Sequence, residues 1–197
     1  MAGLRTINAV WKQEGDVFAC SEATPFAPGQ LGDVAVVQST TGVNAGQSPK
    51  LVQYVKRRAT DALALTAGQA VYWVDNTSYT ITDTQSAAIG GTTTPMVAGF
   101  VQSSNPQPGS YGFIQVGGPG LALVSNSTTA STTAQGRVLY VNTNATFGHV
   151  VAANGTDITT LLTYANRPTL GVLVVGNNAT TTNLTVQALI DVTRLGW

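Results

Sequence analysis

The chain is divided into short apolar runs, and this pattern limits its fold more than any other feature of its sequence. The runs last four to eight residues, are rich in Val, Ile, Thr, Tyr and Phe, and end at Gly, Pro, Asn or Ser. Runs of this kind are typical of β-strands separated by turns. No window of the sequence keeps the apolar spacing of an amphipathic helix over several turns. The best short helical candidate is ITTLLTYA, residues 158–165.

The predicted strands recur roughly every ten residues, and this spacing predicts an all-β barrel or sandwich of short antiparallel strands. An extended N-terminal arm, residues 1–28, precedes them, because Pro25 and Pro28 keep its end out of regular structure. The predicted strands are Gly32–Gln38, Leu51–Arg57, Ala70–Val74, Tyr79–Thr82, Val97–Gln102, Tyr111–Val116, Leu121–Val124, Val138–Val141, His149–Ala152, Leu170–Val175 and Leu184–Val192.

A hairpin pattern occurs twice in the chain. TAGQAVYWVDNTSYTIT at 66–82 and TAQGRVLYVNTNATF at 133–147 share a small polar opening, a Val-Tyr run and an Asn-Thr turn. Each is followed by a strand with an internal glycine, Gly99 or Gly171, and a strand tolerates glycine best where a bulge or a close approach needs it. The echo predicts two similar β units: a first domain, 29–120, and a second unit, 121–197, resembling the later strands of the first. The alternative is that any chain rich in Thr, Val and Gly shows such echoes.

The composition favours a protein of permanent assemblies. Charged residues make up 9% of the chain, against about 25% in average proteins, and the formal net charge is +0. Such a surface has little electrostatic protection against association. The balanced charge argues against nucleic-acid binding. The sequence has neither a signal-peptide pattern nor an apolar stretch of about 18 residues for a membrane span, so we expect synthesis in the cytoplasm without export.

Few residues are suited to catalysis or to metal binding. One cysteine, Cys20, and one histidine, His149, cannot supply the four ligands of a structural zinc site. The sequence contains neither a G-x-S-x-G elbow nor a P-loop, and its nine acidic residues are dispersed. Asp75 and Asn76 with Asp83 could hold calcium, although Asp-Asn is also common turn chemistry. We therefore predict no enzymatic activity, no cofactor and no metal.

Two groups of side chains are candidates for contacts. Tyr72 and Trp73 are adjacent in a strand and must point to opposite faces, so one fills the core and the other lies outside or in an interface. The cluster Lys56-Arg57-Arg58 is open to three interpretations: a solvated face, a contact with an acidic partner, or a phosphate site.

The order of several motifs resembles a known family. QEGD at 13–16, GQLGDVAVV at 29–37, the 66–82 hairpin, VAGFV at 97–101 and YGFIQV at 111–116 together look like the small β-barrel decoration (cement) proteins of tailed-bacteriophage heads. The match covers about residues 13–116. The chain departs from the family in an insertion around 38–66 and in the additional residues 117–197.

The resemblance implies a structural virion protein. It would bind the outer surface of a capsid and tie neighbouring major capsid subunits together, often as a homotrimer and without catalysis. The expected partners are therefore the major capsid protein and further copies of the chain. We hypothesise that the arm and the YVKRR segment make these contacts, and that the terminal tryptophan folds back or anchors a neighbour. The candidate partner-binding residues are Trp11, Phe18, Lys56, Arg57, Arg58 and Trp197.

Two other classes of function compete with this one. A phage-fibre or carbohydrate-binding β module would use exposed aromatic residues and Asn/Thr loops. A β-sandwich hydrolase would need a pair of carboxylates clustered around a cleft.

Overall fold

The structure is a computed structural model, and it describes residues 14–25, 31–38, 49–92, 95–125, 138–141, 150–152, 169–174 and 183–192. Within these residues lie one short helix, one 3₁₀ turn (Gln85–Ala87) and ten strands. The elements are α1 Glu14–Ala19, β1 Val34–Gln38, β2 Pro49–Arg57, β3 Ala70–Asp75, β4 Thr80–Thr82, β5 Val97–Phe100, β6 Tyr111–Ser125, β7 Val138–Val141, β8 Val150–Ala152, β9 Thr169–Leu173 and β10 Asn183–Asp191.

The all-β barrel expected from the sequence is confirmed. Each predicted strand overlaps a strand of the structure, but the predicted pair Tyr111–Val116 and Leu121–Val124 forms one continuous strand, β6. The expected domain boundary at residue 120 therefore falls inside a strand. Residues 14–19 of the arm form α1 rather than extended chain. The helical candidate at 158–165 lies outside the described residues.

Five strands close into a barrel, which we call the first barrel. β2 pairs antiparallel with β6 and parallel with β4. β4 then pairs with β3, β3 with β5, and β5 with β6, which returns the ring to its start. Alternate residues of each strand point inward. The buried core consists of Val55, Leu65, Val71, Trp73, Ile81, Ala98, Val101, Ile114 and Val116.

Five strands also form a second ring, with the same order of pairings. β6 pairs antiparallel with β10, β10 with β9, β9 with β7, and β7 with β8, and β8 returns to β6 in parallel. The C-terminal half of β6 thus takes the place that β2 has in the first barrel. β7, β8, β9 and β10 take the places of β3, β4, β5 and the N-terminal half of β6. The described residues form two β units of one topology, and β6 belongs to both.

The two units also share the position of a β-bulge. In the first barrel, β3 and β5 are paired at Val71 and Gly99, and the register shifts directly afterwards. In the second ring, β7 and β9 are paired at Leu139 and Gly171, and the register shifts at the same point. A bulge bends a strand and leaves one residue unpaired. The repeated glycine in the sequence therefore marks the same bend in both units.

Close approach of a neighbouring carbonyl explains why both positions are glycine. A Cβ at Gly99 would lie 2.6 Å from the carbonyl oxygen of Gln115, and one at Gly171 would overlap the carbonyl oxygen of Leu189. Gly171 also has a φ of 146°, which L side chains rarely adopt. Gln115 and Leu189 are themselves equivalent, since Gln115 pairs with β5 where Leu189 pairs with β9.

β6 crosses from one unit to the other through GGPG, residues 117–120. Gly118 has a φ of 85°, and a Cβ there would overlap the carbonyl oxygen of Pro49. The fully buried Gln115 amide stabilises the crossing, because its Nε2 lies 2.9 to 3.1 Å from the carbonyl oxygens of residues 117, 118 and 119. The glycines of this segment thus allow β6 to cross from the first unit to the second.

One buried cluster joins the two units. It combines outward-facing residues of β3 and β5 with inward-facing residues of the second ring. Polar contacts accompany it: the Gln102 side chain exchanges two hydrogen bonds with the backbone of Leu121, and Leu123 N donates to the carbonyl oxygen of Gly68. The cluster consists of Ala70, Tyr72, Ala88, Val97, Phe100, Ala122, Val124, Leu139, Leu170, Ala188, Ile190 and Val192.

The duplicated bulge can be tested with alanine. We expect Gly99→Ala and Gly171→Ala each to lower the free energy of unfolding by roughly 2–4 kcal/mol, because a Cβ at either site meets a backbone carbonyl. Urea unfolding followed by circular dichroism measures the loss. Gly15→Ala is the control: its Cβ would meet nothing within 4 Å, and alanine favours the helix that holds it. Two losses no larger than that of the control would contradict the equivalence of the two bends.

Candidate partner-binding surface

The segment after residue 13 is fixed on the outside of the first barrel. Val17 and Phe18 of α1 are buried against Ala35 and Val37 of β1 and Val52 of β2. This packing uses the outer face of the sheet, since β1 extends the sheet beyond β2. Phe18 was predicted to contact a partner, and the structure places its ring in this small core. The segment that leads into the barrel is therefore anchored by its apolar side chains.

Backbone contacts secure the same segment beyond α1. Glu22 and Tyr111 exchange two backbone hydrogen bonds of 2.8 and 2.9 Å, so the chain adds a short bridge to β6. Asn105 Nδ2 donates to the carbonyl oxygen of Ala19 at 2.9 Å, and the Ser103 hydroxyl donates to that of Phe18. The point at which residues 1–13 join the barrel is thus defined, although Trp11 itself lies outside the described residues. Trp197 lies outside them too.

Lysines and aromatic rings cover part of the β2–β6 surface. The ammonium of Lys50 lies 5.7 Å from the centre of the Phe18 ring, and that of Lys56 lies 5.4 Å from the centre of the Tyr111 ring. A cation over an aromatic face is attracted by the ring quadrupole. Lys56 and Arg58 are both half-exposed. Of the three adjacent cations, these two remain accessible for a contact with a partner.

Arg57 points the other way and is completely buried. Its Nη2 donates to Asp83 Oδ2 at 3.0 Å, and its Nη1 donates to the carbonyl oxygen of Pro106 at 3.1 Å. Nη2 also donates to the carbonyl oxygen of Leu63, while Nε lies 3.6 Å from Asp61 Oδ2. Strand alternation explains the orientation, because residues 56 and 58 share one face and residue 57 has the other. The interpretation of Lys56-Arg57-Arg58 as a solvated face is therefore wrong for Arg57.

The two aspartates are also tied into this network. Asp61 accepts hydrogen bonds from the Thr82 hydroxyl at 2.9 Å and from the backbone N–H of Asp83 at 3.2 Å. Asp83 Oδ1 accepts from the Thr84 hydroxyl at 3.0 Å. Burial raises the pKa of the Asp61 carboxyl, while the hydrogen bond from Thr82 opposes that rise. The buried charges thus have partners on several chain segments.

The network lies at the seam where the first barrel closes. β2 and β4 are parallel there and pair only at Lys56–Thr80 and Arg57–Ile81. The second ring closes through the corresponding parallel pair, Val124 and Val150. An arginine in the first unit therefore has a valine as its counterpart in the second.

Asp83, the aspartate paired with Arg57, also has an apolar residue as its counterpart in the second unit. Asp83 lies two residues after Ile81, and Ala152 lies two residues after Val150, the counterpart of Ile81. The residue types at equivalent positions therefore differ: Arg57 and Asp83 form an ion pair in the first unit, and the second unit has valine and alanine at those positions.

The Asp75–Asn76 turn is explained by hydrogen bonding within the turn. Asp75 Oδ1 accepts from the Thr77 hydroxyl at 2.7 Å, from the Thr77 N–H at 2.8 Å and from the Ser78 N–H at 3.4 Å. These donors, above all the Thr77 hydroxyl, lower the pKa of Asp75 to about 2. Asp83, the third proposed calcium ligand, is bound to Arg57. Throughout the described part of the chain, no group of three or more His, Cys, Asp or Glu residues could hold a metal ion.

The adjacent aromatic pair is buried on both sides of β3. Trp73 fills the core of the first barrel, and Tyr72 lies in the cluster between the two units. The Tyr72 hydroxyl accepts a hydrogen bond from Gln85 Nε2 at 2.9 Å, and burial raises its pKa to about 12. The second aromatic residue was expected to lie either outside the protein or in an interface. Tyr72 lies in an interface, and this interface is the one between the two units of the same chain.

Several large apolar side chains are exposed, and none of them was among the residues predicted to bind a partner. They share positions on outward faces of strands or in turns. One of them, Leu189, could have been recognised from the sequence of β10, LTVQALID. Apolar and polar residues alternate in this strand, and Leu189 is apolar although it shares a face with Thr185, Gln187 and Asp191. The exposed residues are Val36, Leu63, Ile89, Val172, Val174 and Leu189.

Comparison with known proteins gives no assignment: neither a protein-family model nor a curated protein matches the chain. No helix among the described residues is long and apolar enough to span a membrane.

We expect Arg57→Val to lower the free energy of unfolding by about 3–5 kcal/mol, because it leaves buried carboxylates without their cation. The double variant Arg57→Val/Asp83→Ala copies the residues of the second unit and should recover part of this loss, because it removes one of the two buried carboxylates and leaves Asp61. Urea unfolding monitored by tryptophan fluorescence measures both. Arg58→Val, at a half-exposed neighbour, should change stability by less than about 1 kcal/mol. A double variant as unstable as the single one would contradict the proposed equivalence.

Removing the main donor to Asp75 should shift its titration. The pKa of Asp75 is about 2 in the folded protein, against an ordinary value of 3.8, so the ionised carboxylate stabilises the fold above 3.8. This contribution is lost as the pH falls from 3.8 towards 2. In Thr77→Val the pKa should move back towards 3.8, so the loss of stability on acidification should be smaller and should be complete at a higher pH. A ¹³C NMR titration of the Asp75 carboxyl, with melting curves at acidic pH, measures both effects. An unchanged titration would show that the hydroxyl is not the main cause.

Proposed function

We propose that this protein is a structural virion protein that binds the outer surface of a phage capsid and cements neighbouring major capsid subunits. The observation that carries the proposal is the doubled barrel. A second unit of the same topology enlarges the outer surface that a partner can cover, and a cement protein acts through interface area. A standard interface buries roughly 1,600 Å² in total, and many copies on one shell add their effects through multivalency.

The roles of the buried charges support this proposal. Arg57, Asp61 and Asp83 are engaged with one another and with the backbone at the barrel seam. Their chemistry is therefore accounted for by closing the fold. In the proposed virion, the partners are the major capsid protein and other copies of the chain, and synthesis takes place in the host cytoplasm.

The position of the arm supports the proposal as well. α1 and the Glu22 bridge fix residues 14–22 on the barrel, so residues 1–13, with Trp11, join the rest of the chain at a defined place. Lys56 lies over Tyr111, which is also the residue bridged by Glu22. Lys56 is thus close to the segment that leads to the arm, and Arg58 is half-exposed two residues further along the chain. We propose that the arm and these cations contact the capsid together.

The alternative is a fibre or carbohydrate-binding module, and the adjacent aromatic pair of β3 is not accessible for such binding. Such a module binds sugars on exposed aromatic rings, whereas Tyr72 and Trp73 are buried. A glycan array with the purified protein distinguishes the two functions. Saccharide binding without capsid binding would favour the module.

Co-purification tests the proposed function. A tagged chain expressed in cells that produce tailed-phage heads should sediment with the particles and occur at a fixed ratio to the major capsid protein. The ratio is measured by gel densitometry across a density gradient. A chain that stays at the top of the gradient would refute capsid binding.

Deleting residues 2–12 tests the arm. This deletion spares Val17 and Phe18, whose loss would disturb the packing of α1. We expect occupancy on the particles to fall by about tenfold or more, because multivalent attachment multiplies the loss of each contact. The double variant Lys56→Glu/Arg58→Glu should also reduce occupancy, and its charge-preserving control, Lys56→Arg/Arg58→Lys, should not. Full occupancy of the truncated chain would exclude the arm from the contact.

A further inference from the structure

Residues 14–22, which we call the strap, lie on the first barrel without belonging to its ring of strands. Val17 and Phe18 pack against outward-facing residues of β1 and β2. The pairings that close the barrel join β2, β3, β4, β5 and β6 to one another, and they use no residue of the strap. Among the described residues, the barrel core and this outer cluster have none in common. The barrel can therefore keep its strand pairings when the strap leaves it.

The strap is held by few apolar side chains. Val17, Phe18 and Cys20 are buried, whereas Asp16 and Ala19 are exposed. α1 is six residues long, and a helix of that length is not stable in water without tertiary contacts. The helix and its packing are therefore lost together, because each depends on the other.

The polar contacts of the strap are of a kind that water can replace. A neighbouring loop donates three hydrogen bonds to it, from the Ser103 hydroxyl, the Asn105 side-chain amide and the Gln107 backbone N–H. The bonds from Asn105 and Gln107 are exposed to solvent. Glu22 adds its two backbone hydrogen bonds with Tyr111. Exchanging such partners for water changes the free energy little, so these bonds direct the strap to its place more than they retain it there.

We propose that the strap opens as one segment while the first barrel stays folded. Native proteins open locally in contiguous segments, and segments with few buried apolar contacts open at a free energy well below that of global unfolding. Opening unwinds α1 and uncovers an apolar strip on β1, β2 and β6. The strip consists of Ala35, Val37, Val52 and the partly buried Phe113. The closed strap thus shields a strip that the open strap leaves accessible.

Opening also lengthens the arm. In the closed state the chain is held on the barrel from residue 14 onwards, and in the open state it is held only after residue 22. Nine further residues span about 30 Å when extended, at about 3.3 Å each. The opening itself does not depend on the proposed function. Its consequence does, because on a capsid the strap would set how far the arm reaches from its own barrel.

Alkylation of Cys20 by iodoacetamide, followed by mass spectrometry of the purified full chain, tests the opening. Cys20 is the only cysteine of the chain and is 7% exposed, so its thiol reacts once the strap has moved away or the chain has unfolded. Without denaturant, we expect labelling to be about 100-fold or more faster than global unfolding allows. The rate should rise only weakly with urea, because opening exposes much less surface than global unfolding does. Circular dichroism of the same samples follows global unfolding.

Two substitutions distinguish the strap from the barrel. Phe18→Ala removes the largest buried side chain of the strap and should speed labelling by about tenfold or more. It should change the urea midpoint of the barrel little, because the strap is already open there. The control Ile114→Val, in the barrel core, should lower the midpoint and leave the labelling rate without urea unchanged.

The opposite pattern would overturn the proposal. If labelling of the wild-type chain had the full urea dependence of global unfolding, the strap would belong to the cooperative unit of the barrel. The same conclusion would follow if Ile114→Val speeded labelling in step with its loss of stability, or if Phe18→Ala left the labelling rate unchanged. Since the measurement uses the purified chain alone, a failure here is distinct from a failure of the chain to sediment with capsid particles.

Discussion

The two halves of the molecule depend on one strand, β6, whose backbone is used by both. Its N-terminal half pairs with β2 and β5, and its C-terminal half pairs with β10 and β8. Because backbone hydrogen bonds join neighbouring strands, a change in the direction of β6 alters both rings together. The passage at GGPG has little freedom: Gly118 needs a left-handed φ, and Gly120 makes room for the buried amide of Gln115. The two units are therefore coupled mechanically as well as by the cluster between them.

The units share their topology, but they differ in how they close. At equivalent parallel seams the first unit buries Arg57 with Asp83, and the second has Val124 and Ala152. A buried ion pair must overcome the cost of desolvating both charges, and apolar residues of suitable volume often stabilise a fold as well or better. The charged seam is therefore explained better by what it connects than by stability alone. Through Arg57 it ties the loops at Leu63 and Pro106 to the barrel, and the described residues show no comparable ties at the seam of the second unit.

The sequence predicted the regular part of this structure because strand and turn signals are local. The positions of the strands, the duplicated hairpin and the matching glycines, Gly99 and Gly171, all follow from short-range patterns. The partners of Arg57 do not, since Asp83 lies 26 residues away and reaches it only through the parallel pairing of β2 and β4. α1 was missed because it is six residues long and is held by tertiary packing rather than by helix propensity. Leu189 could have been found from the alternation in β10, which leaves it among polar residues.

Equivalent sheet faces of the two units differ in their exposure to solvent. In proteins built from stacked repeats, the terminal repeat usually has a polar outer face, because nothing follows to cover it. Here the first unit places Phe100 under the second, whereas the second presents Val172 and Leu189 to solvent at the matching positions. Equivalent positions of one topology thus carry apolar side chains in both units, but among the described residues only those of the first unit are covered.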